Sequence, residues 1–275
     1  MANPAKTYVK SIAKKSRYRA IWLPGIPLQL GDYGVLEEGY FFRRLGNIRT
    51  IGDGGISFAI RPDETKDAFL SYGSDRGVTC RTELAGDVPL SKGQVTTKVT
   101  YEFSSKDAYI FELRDVEYTS IEDIAKVGQA IMGLFAQREN SPIWEKDYYV
   151  ITELVTAASG TILVSNSSNG KLGLTVKGNF LKDLDIADAT LGLSITYTQD
   201  MEVKSIAESG LTPLFRLSGI RSRGILRPTN VFEPRRLRQS PFSVANFTDT
   251  EVLNNLEKFD FAPEDFGYLF MEDDE

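Results

Sequence analysis

The side chains that most enzymes use for nucleophilic and metal chemistry are nearly absent from this sequence. Its 275 residues include no histidine and one cysteine, Cys80. The lack of histidine excludes Ser-His and Cys-His nucleophile pairs and histidine-containing zinc or iron sites, and a single thiol excludes thiolate clusters. Hydrolysis by a carboxylate pair needs only two acidic side chains, so composition leaves that class open. We expect a protein that is not an enzyme and that binds no cofactor or metal.

The N-terminal residues carry a cluster of positive charges. Asn3 and Pro4 are favoured at a helix start, and the pattern predicts a helix over about 4–15 with one apolar face. A solvated surface helix and a contact to anionic lipid both fit this pattern. We expect no nucleic-acid binding, because the body as a whole is barely basic. The candidate membrane-binding residues are Lys6, Lys10, Lys14, Lys15, Arg17 and Arg19.

The C-terminal segment, residues 241–275, has the opposite charge. It contains ten acids and one base, which gives −9, and subtracting this from the chain total of −6 leaves +3 for residues 1–240. Seven aromatic residues in the same segment are unusual for a disordered acidic tail, so we expect it to dock on a protein surface. Thr248 and Glu251 have capping-box spacing, which predicts a short docked helix with Val252, Leu253, Leu256 and Phe259 on one face. The candidate docking contacts are Val252, Leu256, Phe259, Phe261 and Phe266.

A proline-punctuated, arginine-rich stretch over 227–240 separates body from tail. Such a stretch is typical of an exposed linker that proteases can reach. Its candidate cleavage region is marked by Arg235, Arg236 and Arg238. We therefore divide the chain into a body over 1–226, a linker over 227–240 and an acidic, aromatic tail over 241–275.

Strand patterns dominate the body. Residues 78–84 and 95–103 alternate between apolar and polar side chains, which predicts a long antiparallel hairpin with a turn at 89–93. Further strands are predicted at 148–155, 161–164, 172–176 and 191–197, with a turn at 165–170. Thr119 and Glu122 have capping-box spacing before an apolar stripe, which predicts a helix over 120–138. We expect an α+β fold, in which a twisted, mainly antiparallel sheet with long hairpins carries flanking helices and a short docked C-terminal segment.

This order of elements resembles a gasdermin pore-forming domain, particularly the compact bacterial type. The matching parts are the basic helix, the segment 18–24, the hairpin at about 69–104, the helix at 120–138, the strand after Trp144, the second strand region to about 204 and residues 214–217. The resemblance implies an autoinhibitory tail, an activating protease that cuts the linker, and a body that then binds anionic membrane lipid and self-oligomerises into a pore that causes cell death or defence. Bacterial members often carry an acylated cysteine near the N-terminus, which this chain lacks.

Other features of the chain bear on where it acts. The first residues lead into lysines instead of an apolar stretch, and Cys80 has no cysteine with which to form an internal disulfide. We therefore expect a cytoplasmic protein that moves to the membrane after activation. The alternative interpretation is a structural or interaction subunit of a larger assembly, in which the aromatic tail docks on a neighbour.

Overall fold

The computed structural model describes residues 3–22, 27–73, 77–84, 96–136, 143–177, 186–187, 193–222 and 259–264. Over these ranges the chain forms mostly antiparallel β-structure with two α-helices, which confirms the predicted α+β class. The helices are α1 (Pro4–Ser16) and α2 (Ile124–Ala136), with a 3-10 turn at Ile48–Thr50. The strands are β1 (Arg19–Ala20), β2 (Asp32–Glu37), β3 (Phe41–Asn47), β4 (Ile60–Gly73), β5 (Val78–Leu84), β6 (Thr96–Phe103), β7 (Tyr109–Ile121), β8 (Tyr149–Ser165), β9 (Gly170–Lys177), β10 (Ser194–Gln199), β11 (Met201–Ser222) and β12 (Phe259–Pro263).

Strands β8 and β11 form the centre of the larger sheet. They pair antiparallel from Met201 opposite Ser165 to Gly219 opposite Tyr149. The other side of β8 pairs with β2 near its start and with β7 farther along, and these carry β3 and β4 outward. Short strands β1 and β12 lie one after the other along the outer side of β11. The strand that follows the N-terminal helix and the C-terminal segment therefore pair with the same strand.

The smaller sheet confirms the predicted hairpin. Strands β5 and β6 pair from Val78 opposite Phe103 to Leu84 opposite Thr97, and the sheet order is β10, β9, β6, β5. Along β6, Val99 and Phe103 are buried while Lys98 is exposed, as period-2 alternation predicts. The predicted turn between the two strands, at 89–93, lies outside the described residues.

Helix α2 begins later than predicted. Thr119 lies in β7, where its hydroxyl donates a hydrogen bond to the Leu154 carbonyl at 3.3 Å. Asp123 caps the helix instead, and its Oδ1 accepts from the Lys126 backbone N–H at 3.0 Å. The predicted capping box was therefore wrong, because pairing of β7 with β8 holds Thr119 in extended backbone. The apolar stripe is confirmed at Val127, Ile131 and Phe135, which are all buried.

Strand β8 is continuous where two strands were predicted. Residues 157–160, Ala-Ala-Ser-Gly, are poor strand formers, yet this stretch pairs on one side with β7 and on the other with β11. A Cβ on Gly160 would lie 2.7 Å from the Leu113 side chain, so crowding there favours a residue without one. The predicted turn at 165–170 separates β8 from β9, which belongs to the other sheet.

Candidate functional site

Helix α1 presents the predicted basic surface and is fixed to the sheet. The Asn3 side chain accepts from the Ala5 N–H at 3.0 Å, which confirms the predicted N-cap. Tyr8, Val9 and Ile12 are buried on the apolar face. Lys6 and Lys10 are half-buried, and Lys14, Lys15 and Arg17 are exposed. Five of the six predicted membrane-binding residues therefore retain access to solvent in this structure.

Two of these five also hold the helix in place. Lys15 Nζ donates to the Gly73 carbonyl at the end of β4, at 2.6 Å. Arg17 closes α1 in the left-handed region, with φ of 64°, and its N–H donates to the Ala13 carbonyl at 3.0 Å. The Arg216 Nε of β11 donates to the Arg17 carbonyl at 2.8 Å. Helix α1 is thus linked at its C-terminal end to both β4 and β11.

The structure does not place Arg19 with the other basic residues. It lies in β1, opposite Phe215 of β11, and it is completely buried. Its Nε donates to Glu264 Oε2 at 2.6 Å, a second guanidinium nitrogen pairs with Glu264 Oε1, and a third donates to the Gly39 carbonyl at 3.0 Å. In this structure Arg19 does not lie on the exposed basic surface, because its charge faces a carboxylate of the tail, and its contact with lipid stays a prediction for the body without the tail.

Glu264 is the other half of this ion pair, and it lies 245 residues away in sequence. The residue is 9% exposed, so both charges are removed from water. A guanidinium binding both oxygens of a carboxylate is the strongest geometry available to such a pair. Removing one partner of a buried pair leaves an uncompensated charge, which costs far more than the pair contributes when intact. The contact is therefore sensitive to any change at either residue.

Strand β12 brings Glu264 to this position. Five of its residues pair antiparallel with β11, from Ser222 opposite Phe259 to Ser218 opposite Pro263. The Glu264 N–H then donates to the Leu217 carbonyl at 2.9 Å. Pro263 has no N–H to donate, which suits the end of an outer strand. The tail segment is thus held as an added strand at the edge of the body's own sheet.

Phe261 packs between this strand and α2. Its ring is partly buried against the core cluster that includes Val127 and Ile131. A Cβ built on Gly128 of α2 would lie 2.7 Å from Phe261 Cδ1 and 3.2 Å from its Cβ. Because the second of these atoms is next to the backbone, a larger residue would require the ring to move and Phe261 Cβ to shift by a few tenths of an ångström. Gly128 therefore forms a notch in α2 that receives the ring.

The pKa of the Tyr149 phenol depends on the same site. Burial raises its pKa, and the nearby Glu264 carboxylate raises it further because a second negative charge there is unfavourable. The Arg19 and Arg221 cations act in the opposite direction with smaller effect. Ionisation of Tyr149 is thus coupled to the presence of the tail segment.

Of the predicted tail contacts, Phe261 is found at the body surface. The expectation that Phe259 lies on the apolar face of a helix is wrong, because its backbone begins β12 and pairs with Ser222. Val252, Leu256 and Phe266 lie outside the described residues, as do the rest of the predicted tail helix, the linker 227–240 and Arg235, Arg236 and Arg238. Sequence reasoning missed Glu264, Gly128 and the structural role of Arg19. The sequence holds one indication that Arg19 is buried, because the apolar residues Ala20-Ile21-Trp22 follow it directly.

Neither α1 nor α2 is long and apolar enough to cross a membrane. Among the side chains described, no group of three or more acids and thiols is gathered as a metal site would require.

Comparison of the sequence with protein-family models finds no match, and comparison with curated proteins finds no significant similarity. The features of the described residues that bear on function are the docked tail segment, the residues that bind it and the charged surface beside it.

Proposed function

We propose that this chain is an autoinhibited pore-forming protein. Its tail is released by proteolysis of the linker, after which the body binds anionic membrane lipid, self-oligomerises and permeabilises the membrane, causing cell death or defence. The observation that carries the proposal is the docking of residues 259–264 on the body of the same chain through strand pairing, Phe261 and the Arg19–Glu264 ion pair. The protein acts from the cytoplasm and at the membrane.

Charge supports a switch in membrane affinity. With the tail, the chain carries −6, and residues 1–240 alone carry about +3 by the subtraction above. Four exposed or half-buried lysines and Arg17 lie on or directly after α1, beside the sheet. Each basic residue near an anionic surface contributes on the order of 1 kcal/mol. Loss of an acidic segment therefore favours contact with a negatively charged bilayer.

Strand edges support self-association. In the part of the chain that the structure describes, β4 pairs only with β7 and β10 only with β9. Both carry exposed large apolar side chains, with Phe69 48% exposed on β4 and Ile195 50% exposed on β10. Long strands with open edges and apolar side chains are surfaces on which further strands add. A second copy of the body is the partner that the proposal requires.

The alternative function, a subunit whose tail docks on a neighbouring protein, has less support. The described part of the tail pairs with β11 of its own chain and buries its carboxylate against its own Arg19. A tail that is occupied in this way has its strand edge and its acidic group already engaged.

Dye release from liposomes tests the proposal. A protease recognition sequence is placed at 229–238 of the complete chain, and the uncut and cut proteins are compared on anionic and on neutral liposomes. We expect leakage from anionic liposomes once the cut protein has been separated from its tail fragment, and none from the uncut chain. The proposal would be contradicted if the cut protein is folded and separated from its tail fragment, yet leaves anionic liposomes intact.

A further inference from the structure

We propose that the edge of β11, the Arg19 guanidinium and the Gly128 notch form a peptide-binding site, which recognises an extended segment with a phenylalanine three residues before a glutamate. Its ligand is the segment 257–266 of this protein, acting as a separate peptide as well as within the chain. The regulatory consequence rests on the proposed function, because a peptide that occupies this site would hold the cut protein inactive.

Backbone pairing provides the first part of recognition. The segment adds to β11 with the register Ile220 opposite Phe261 and continues to the Glu264 N–H bonded to the Leu217 carbonyl. Strand addition to a sheet edge is a general mode of peptide recognition, in which main-chain hydrogen bonds give affinity and side-chain sites give specificity. This site therefore accepts an extended peptide in one register.

Two side chains provide the specificity. Residues three apart on an extended chain point to opposite faces, and accordingly Phe261 enters the notch on α2 while Glu264 reaches Arg19 in β1. The two receptor groups come from different elements, so a ligand must satisfy both at a fixed spacing. Glutamine at the second position could not neutralise the buried guanidinium, and alanine at the first would leave the notch empty.

The covalent connection is separable from these contacts. Residues 223–258 join Ser222 to Phe259, which already lie opposite each other in the sheet. A cut anywhere in this connection breaks one peptide bond and none of the contacts described for residues 259–264. The fragment then leaves only as fast as its strand pairing, ring contact and ion pair allow. Dilution and competing peptide, beyond proteolysis itself, become the variables that control release.

The experiment uses the complete chain with the protease site at 229–238, cut in solution without lipid. A fluorescent peptide of residues 257–266 is added, and anisotropy follows its exchange with the resident fragment. We expect saturable binding that is weakened at least about tenfold by Glu264→Gln or by Phe261→Ala in the peptide. Equal binding of the wild-type and both substituted peptides would overturn the proposal. Failure of the labelled peptide to bind folded, cut protein from which the resident fragment has been removed would overturn it as well.

Two glycines of α2 provide matched receptor variants. Gly128→Ala places a methyl group against Phe261, whereas Gly133→Ala places one where no atom lies within 4 Å. Both substitutions favour the helix. Peptide affinity should fall in Gly128→Ala and stay unchanged in Gly133→Ala, and equal affinities would count against the notch.

A second measurement covers the case in which a cut variant loses its fold. Hydrogen exchange of the β12 amides is measured in the same variants uncut, and faster exchange is expected in Gly128→Ala alone. A dimer in which two chains exchange tails would show a concentration-dependent size. If the β12 amides are protected from hydrogen exchange only in that dimer, the tail does not bind within one chain and the proposal is overturned. Because no readout involves a membrane, peptide recognition and pore formation can fail separately.

Discussion

Replacement of Glu264 by glutamine should undock the C-terminal strand while the body stays folded. The substitution preserves side-chain size but leaves the Arg19 guanidinium buried beside a neutral amide. Breaking a buried pair in this way costs about 3–5 kcal/mol. At about 1.4 kcal/mol per factor of ten, this lowers the docking equilibrium at least about 10²-fold. The body itself loses less stability than this, because Arg19 can be solvated once β12 has undocked.

Hydrogen exchange measures this change directly. The amides of 259–264 and of β11 near Ser218–Ser222 are protected by the pairing between the two strands, so their protection should fall together. Amides in the centre of β8 should keep theirs. Glu208→Gln on β11 is the matched control, because Glu208 is exposed and the substitution removes the same charge. Unchanged protection in Glu264→Gln, or an equal loss in Glu208→Gln, would refute the importance of the ion pair.

Three further predictions concern pH, lipid binding and helix capping. Burial raises the pKa of Tyr149 and the docked Glu264 carboxylate raises it further, so docking should favour the protonated phenol and weaken as pH rises through that raised pKa. NMR titration, with Tyr149→Phe for assignment, should show a lower Tyr149 pKa in Glu264→Gln; an identical pKa would contradict the coupling. Charge reversal at three lysines of α1 should abolish binding of the cut chain to anionic vesicles, whereas the same reversal at three exposed lysines elsewhere should not; equal binding would contradict a specific role for α1. The first set is Lys6, Lys10 and Lys14, and the second is Lys98, Lys106 and Lys126. Asp123→Ala should lower the free energy of unfolding by about 1 kcal/mol in denaturant melts, because it removes the observed helix cap. Thr119→Ala should not act through helix capping. Unchanged stability in Asp123→Ala would contradict the observed cap.

Local patterns in the sequence were sufficient where neighbouring residues determine the structure. The Asn3 cap, the apolar face of α1 and the alternation along β6 follow from residue type and short-range geometry. The cap of α2 and the continuity of β8 did not follow in the same way. In both cases pairing with a neighbouring strand overrides the local preference, as it does for Thr119 and for the poor strand formers at 157–160.

The candidate site was predictable only in outline. Charge asymmetry and aromatic content indicated that the tail would contact a protein surface, and Phe261 does so. The mode of docking could not be inferred, because the Arg19–Glu264 pair joins positions 245 residues apart and the Gly128 notch exists only once α2 and β12 are adjacent. An isolated arginine in a basic stretch gives no indication that its partner is a distant carboxylate.

The central claim is that docking of residues 259–264 holds the protein inactive. Dye release by the uncut Glu264→Gln protein, measured on anionic liposomes beside uncut wild type and Glu208→Gln, tests this claim most directly. We predict leakage from Glu264→Gln without any protease, and none from the other two proteins. If Glu264→Gln is folded and its strand is undocked by hydrogen exchange, yet the liposomes remain intact, docking does not control membrane permeabilisation and the claim is wrong.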